Sequence, residues 1–137
     1  MEAIQVERAY QELVAQYGAL PSSSAHPERR QHPRFRVHTR DLWVNDVPEF
    51  QVRDVSASGI GLEADFPLQQ GDRLKVCLRD DIHAQAVVLG CELMDSGSQY
   101  WAPLFQINCR FEDEHQGKAL VVMTKRAEQQ LMDQALA

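Results

Sequence analysis

Two short segments of this chain contain side chains suited to gripping a guanine nucleotide. The first includes Arg29, Arg30 and Arg34, with Pro33 between the last two, and the second covers residues 54–59 with the sequence DVSASG. An arginine fork donates paired hydrogen bonds to phosphate oxygens or to guanine O6 and N7, and its plane stacks on a purine. A carboxylate accepts the two donors of the opposite guanine edge with charge assistance. Together the segments predict recognition of a guanine nucleotide.

Within the second segment, Asp54 is the predicted acceptor for the guanine edge. Ser56 follows two residues later in an extended segment and is expected on the same side. Gly59 is expected to allow either a positive φ or a close backbone approach in a turn under the ligand. Arg30 and Arg34 would share one face of a helix, or would approach one ligand from two directions on a bent segment. Either segment alone is compatible with a solvated charge cluster or a common turn, and their joint occurrence favours a site.

Positive charge is concentrated in one place. Residues 28–40 contain five arginines and one glutamate, although the whole chain has a net charge of −6. A local basic segment on an acidic body suits a small anionic ligand better than a nucleic-acid backbone, which needs a broad basic face.

Composition predicts one soluble globular domain with a modest appendage. The chain has 137 residues, of which 44% are hydrophobic and 25% are charged. No apolar run approaches the roughly 18 residues that span a bilayer, so no membrane insertion is expected. The N-terminus lacks the basic and apolar regions of a signal peptide, which predicts a cytoplasmic protein.

Metal, cofactor and catalytic chemistry are not expected. Cys77, Cys91 and Cys109 lack CxxC spacing and lie in apolar segments, so they are predicted to be buried reduced thiols. The histidines lack metal-ligand spacing, and no nucleophile and base pair is recognisable. Trp43 and Trp101 are interpreted as barrel or rim residues, with lining of the ligand as the alternative.

Hydrophobic periodicity predicts a helix over residues 2–17 capped by Gly18, a Ser/Pro-rich linker over 20–27 and a terminal helix over 116–136. The first helix has one apolar stripe, which would pack on its own domain, on a second copy or on another partner. Six or seven short strands without an intervening helix favour an antiparallel barrel. The predicted strands cover residues 35–37, 42–44, 50–55, 60–64, 73–78, 82–94 and 101–111.

The two segments resemble the signatures of the PilZ domain family, RxxxR and [D/N]xSxxG. They occur here as Arg30-Gln31-His32-Pro33-Arg34 and Asp54-Val55-Ser56-Ala57-Ser58-Gly59. The family's usual run continues in Ile60-Gly61-Leu62, Pro67-Leu68 and Gly71-Asp72. The resemblance covers about residues 28–115.

The resemblance implies a mainly β fold, a six-stranded antiparallel PilZ-type β-barrel with a C-terminal helix, here with an N-terminal helical extension. Residues 1–27 would form the helix and linker, and residues 28–137 the PilZ domain. It also implies binding of cyclic di-GMP, with Arg30 and Arg34 on guanine and phosphate, Asp54 and Ser56 on a guanine edge, and Gly59 shaping the pocket. Arg29 precedes the first signature, where a basic residue accompanies two ligand molecules per protomer in this family.

One position departs from the family pattern. Asn108 replaces the glycine of a last strand that often has the form I-G-x-x-F. Its side chain would either narrow the approach to the pocket or lie outside it.

The sequence therefore predicts a non-enzymatic cyclic di-GMP receptor. A mobile segment over residues 28–36 would close over the ligand, and the changed segment and helices would regulate an unidentified protein partner in motility, pilus or biofilm-type outputs. A homodimer through the terminal helices is a further expectation. The alternative is a PilZ-like interaction scaffold without nucleotide binding. Single-stranded nucleic-acid binding is disfavoured because the acidic body lacks interleaved aromatic and basic positions.

Overall fold

The computed structural model describes residues 2–18, 32–38, 42–45, 50–79, 82–94 and 103–136. Within these residues the chain forms two helices and seven strands. In chain order they are α1 (Ala3–Gly18), β1 (Phe35–Arg36), β2 (Leu42–Val44), β3 (Gln51–Val55), β4 (Gly59–Ala64), β5 (Arg73–Leu78), β6 (Ile82–Met94), β7 (Leu104–Phe111) and α2 (Glu114–Leu136).

The strands form one antiparallel sheet in the order β1-β3-β4-β7-β6-β5-β2. Its two edge strands, β1 and β2, follow each other in the chain. Seven flat strands would place the edges about 28 Å apart, whereas the backbone from Arg36 to Leu42 spans at most about 22 Å. The sheet must therefore curl, which agrees with the predicted antiparallel barrel.

The strand count differs from the six that the family resemblance implied. The described residues contain seven strands because β1 and β2 pair at opposite edges, β1 with β3 and β2 with β5. Both edge strands are short, with two and three residues.

The core fills the inside of the curled sheet and continues under α2. Buried residues alternate along β2 and along parts of β6 and β7, and Phe35, Leu62 and Ile107 are completely inaccessible to solvent. Helix α2 packs on β5, β6 and β7, with Leu120 and Val121 fully buried. This helix was predicted from residue 116 and begins two residues earlier, at Glu114.

Helix α1 packs on α2 of its own chain. Val6 and Tyr10 are buried, and Glu7 forms an ion pair with Lys118 of α2. Of the surfaces considered for the apolar stripe of α1, the structure places it on its own domain.

Several sequence predictions need correction or stay open. Cys91 is partly exposed, so only Cys77 and Cys109 are the predicted buried thiols. Trp43 is 41% exposed and lies outside the candidate pocket described below, because its neighbours in β2 point inward. Trp101 and the linker 20–27 lie outside the described residues. The division into residues 1–27 and 28–137 stays a prediction.

No helix in the described part of the chain is both long enough and apolar enough to cross a membrane.

Candidate functional site

A pocket of about 330 Å³ lies where the segment before β1 meets β3, β4, β6 and β7. It brings together four of the six predicted site residues, namely Arg34, Asp54, Ser56 and Gly59. The other two, Arg29 and Arg30, lie outside the described residues. The complete lining is Arg34, Asp54, Ser56, Ser58, Gly59, Ile60, Leu89, Asn108, Cys109 and Arg110.

The Asp54 carboxylate is oriented by a bulge in β3. Val52 pairs with Leu62 and Asp54 with Gly61, so Arg53 is the extra residue between them. A bulge re-aims side chains next to it, and here the Arg53 Nε donates a hydrogen bond to Asp54 Oδ2 at 3.1 Å. The Asp54 side chain retains only 19% exposure.

A second contact holds Arg53 from the other side. With the Gln106 amide oxygen facing the guanidinium, that oxygen accepts hydrogen bonds from Arg53 Nη1 and from Nη2, the latter at 2.7 Å. Gln106 lies on β7, opposite Glu63 of β4. The carboxylate of Asp54 is therefore fixed through Arg53, and it keeps further lone pairs to accept from a ligand.

Ser56 closes the turn between β3 and β4. Its backbone N–H donates to the Gly59 carbonyl at 2.8 Å, and its Oγ accepts from the amides of Ser58 and Gly59 at 3.3 and 3.1 Å. The residue is only 5% exposed. Its Oγ also donates to the Gly59 carbonyl at 3.4 Å and lies 3.2 Å from the Ser58 Oγ, so both the lone pairs and the proton of this hydroxyl have partners within the turn. The predicted guanine contact of Ser56 stays a prediction.

Gly59 is required by a close backbone approach, the second of the two reasons that the sequence offered. A Cβ at this position would overlap the Cys109 carbonyl oxygen of β7. The positive-φ alternative does not apply, since Gly71 is the only described glycine with a positive φ.

The segment that contains Arg34 is anchored on the domain. Phe35 is completely buried, and the Val37 amide donates to the Arg53 carbonyl at 3.0 Å. From α2, Lys125 Nζ donates to the Arg36 carbonyl at 2.5 Å. A buried side chain, a backbone hydrogen bond and helix α2 thus hold residues 35–37 on the domain, and the mobility of residues 28–36 without ligand stays a prediction. Residues 28–31 lie outside the described residues.

Sequence reasoning did not place Leu89 or Arg110 at the pocket, and it left the position of Asn108 open. Asn108 and Arg110 alternate along β7 with the buried Ile107 and Cys109, so both face the pocket side. This settles the Asn108 question, because the residue lines the pocket. Alternation in β7 was a usable signal for Arg110, but a single strand arginine also fits an ordinary solvent-facing position.

Leu89 reaches the pocket because of a second bulge. Val88 pairs with Cys109 and Gly90 with Asn108, which leaves Leu89 as the extra residue of β6. Its side chain is 50% exposed. A large apolar side chain at the rim of a polar pocket offers a surface on which a nucleobase can lie.

The charges around the pocket favour an anionic ligand with a donor edge. Arg34 and Arg110 form no ion pair with another residue in the described ranges, whereas Asp54 is paired with Arg53. Burial raises the pKa of the Cys109 thiol to about 12, so this buried neighbour of Asn108 and Arg110 adds no charge beneath the pocket. Among the described residues, no three His, Cys, Asp or Glu side chains are grouped to hold a metal ion.

Comparisons with known proteins agree with this architecture. The model of the PilZ domain matches residues 28–125, which include every residue that lines the pocket. The solved PilZ domain of YcgR from Escherichia coli with c-di-GMP is similar in fold, with a TM-score of 0.54, 17% sequence identity and coverage of 77% of this chain and 98% of that chain.

The K. pneumonia MrkH–c-di-GMP complex is similar with a TM-score of 0.50, 23% identity and coverage of 80% of this chain. This chain spans about half of the MrkH chain, 54% of its length. A comparison with curated protein sequences gives no significant match. Because the family model covers most of the chain and the fold is shared, this chain belongs to the PilZ domain family.

Proposed function

We propose that this protein is a non-enzymatic receptor for cyclic di-GMP. The observation that carries the proposal is that one pocket contains a guanidinium from the first signature, Arg34, and the carboxylate of the second, Asp54. The cyclic di-GMP complexes of two proteins with this fold support the choice of ligand.

The two signatures have complementary tasks in this proposal. Arg34 and Arg30 donate to phosphate oxygens or to guanine O6 and N7. Asp54, held by Arg53, accepts from the opposite guanine edge. Ser56 and Gly59 shape the turn below the ligand, and the Ser56 hydroxyl exchanges its long bond to the Gly59 carbonyl for a contact with the guanine edge.

The side of the pocket formed by β6 and β7 adds a further cation and an apolar surface to the residues of the two signatures. Arg110 adds a second described cation without an ion-pair partner among the described residues, and the Leu89 side chain provides an apolar surface for a purine face. We further propose that each protomer binds two ligand molecules and that Arg29 contributes to this stoichiometry. A site with several arginines can balance the phosphates of a stacked pair.

In this proposal, ligand binding changes the conformation of residues 28–36 and of the two helices. An unidentified protein partner in motility, pilus or biofilm-type processes recognises the changed surface. A groove of about 350 Å³ between α1 and α2 is one surface on which such a change would be visible. A homodimer through the helices is the other form that this readout would take. The proposal places the protein in the cytoplasm and includes neither nucleic-acid binding nor membrane insertion.

Isothermal titration with cyclic di-GMP tests the ligand and its stoichiometry together. We expect saturable binding with two ligands per protomer, and we expect Arg30→Ala to lose about 5- to 150-fold in affinity, since it removes a bidentate contact. Arg73→Ala is the matched control, because Arg73 is an exposed arginine of β5 that lines neither the pocket nor the groove between α1 and α2.

Two results would change the proposal. An Arg30→Ala variant with wild-type affinity would show that the site assignment is wrong. Absence of binding by the wild-type protein at roughly 50 µM ligand would favour the alternative, an interaction scaffold of the PilZ fold without nucleotide binding.

A further inference from the structure

His32 lies between the two helices, two residues before Arg34. Its Nδ1 is 3.4 Å from the hydroxyl of Tyr10 in α1, and the two rings meet edge to face at 6.3 Å. Its Nε2 is buried at 3.2 Å from Glu114 Oε1 of α2, an ion-pair distance without hydrogen-bond alignment. The side chain is only 12% exposed. A residue of the first signature is thus enclosed by helices that precede and follow the barrel.

The connection from His32 to Arg34 is short and stiff. Pro33 fixes its own φ near −65°, and a residue before proline is restricted to extended conformations. After Arg34 the backbone enters the barrel through the fully buried Phe35. A displacement of His32 therefore moves Arg34, because the single residue between them has little freedom to absorb it.

Tyr10 is well held for this contact. It is 2% exposed, and Lys118 Nζ lies 5.3 Å from the centre of its ring. Lys118 in turn pairs with Glu7 of α1 at 2.8 Å and with Glu114 at 3.5 Å. Burial raises the pKa of the Tyr10 phenol, which therefore stays protonated and able to donate to His32.

We propose that α1 contributes to the ligand site, because Tyr10 positions His32 and, through it, Arg34. Helix α1 lies before residue 28, where the family match begins. The contact from Tyr10 is therefore made by a part of this chain outside the matched domain. Tyr10 and His32 act as positioning residues, and neither needs to touch the ligand.

A thermodynamic consequence follows if the pocket binds cyclic di-GMP, and this part rests on the proposed function. Docking of α1 favours the arrangement of Arg34 that binds ligand, so ligand binding must favour docking of α1 by the same factor. Docking of α1 then raises the affinity for the ligand, and binding of the ligand stabilises the docked helix.

The positioning claim is tested without ligand by amide hydrogen exchange on the full chain. We expect Tyr10→Ala to speed exchange in residues 32–38, including the Val37 amide that bonds to Arg53, because local opening of this segment becomes easier. Tyr10→Phe keeps the ring contact but removes the hydroxyl, so exchange in this variant should lie between those of the wild type and Tyr10→Ala. Leu74→Val is the control. It alters the core in β5 but none of the residues that contact His32.

The linkage is tested by titration of the same variants with cyclic di-GMP. We expect Tyr10→Ala to weaken binding by about 3- to 10-fold, Leu74→Val to leave it unchanged, and ligand to slow exchange in α1 of the wild-type protein. If Tyr10→Ala loosens α1 but leaves exchange of residues 32–38 unchanged, α1 is merely attached and the inference is wrong. If the wild type binds no cyclic di-GMP, the proposed function fails, whereas the exchange result still decides the positioning claim.

Discussion

The Asp54 carboxylate occupies the space in which a side chain of Gly61 would lie. A Cβ at Gly61 would come within 2.6 Å of Asp54 Oδ1 and 2.8 Å of Arg53 Nη2. The glycine on β4 therefore allows the bulged strand β3 to lay two charged side chains across its neighbour. The position of the Asp54 carboxylate thus depends on the absence of a side chain at Gly61 on the neighbouring strand.

Substitution of Gly61 by alanine should separate affinity from stability. The added methyl group must displace the ends of two side chains rather than backbone, so we expect a small change in melting temperature. Since the displaced carboxylate can no longer accept both guanine donors, affinity for cyclic di-GMP should fall by at least about 5-fold, measured by titration calorimetry. Gly90→Ala is the control, because a Cβ there meets nothing within 4 Å. Unchanged affinity in Gly61→Ala would contradict the assignment of Asp54.

Arg110→Ala should weaken ligand binding although Arg110 belongs to neither signature. Its guanidinium lines the pocket opposite Gly59, and loss of a charge-assisted contact of about 1.5–3 kcal/mol corresponds to about 10- to 150-fold in affinity. Arg73→Ala removes the same charge elsewhere on the surface and should have little effect. Equal losses in both variants would indicate a general electrostatic effect instead of a contact.

Gly117→Ala should destabilise the protein, opposite to the usual trend in helices. Alanine is ordinarily favoured over glycine in a helix by about 1 kcal/mol. Here the new Cβ would overlap the Ala57 carbonyl oxygen and lie 2.7 Å from Phe111 Cδ2, which forces α2 away from the turn of residues 56–59. We expect a net loss of about 1–3 kcal/mol in the free energy of unfolding, measured by urea denaturation. Gln130→Ala, at an exposed position of α2, should change the free energy of unfolding by close to zero.

Cys91 and Cys109 should differ strongly in their reaction with iodoacetamide. Thiolate is the reactive form, and a pKa raised by burial to about 12 makes Cys109 almost fully protonated near neutral pH. At about pH 8 roughly one Cys109 in ten thousand is ionised. Cys91, which is partly exposed, should be modified first, as followed by peptide mass spectrometry. Rapid labelling of Cys109 in the native protein would contradict the buried thiol.

The sequence alone predicted the parts of this protein that depend on neighbours along the chain. The DVSASG turn could be interpreted locally, because the Ser56 hydroxyl bonds to amides two and three residues away. The strands and both helices follow from hydrophobic periodicities that reflect one buried face. The contacts of Phe35 and His32 could not be predicted in this way, because they come from elements distant in the chain.

Tertiary structure decided the completed pocket. The bulges at Arg53 and Leu89 are register shifts between strands, and periodicity within one strand does not specify where a partner strand skips a residue. The same holds for Gly61, whose importance appears only when Asp54 lies across it. Local patterns thus identified Arg34 and Asp54 as candidates, whereas strand pairing placed their side chains at one site, since register depends on contacts between residues far apart in the chain.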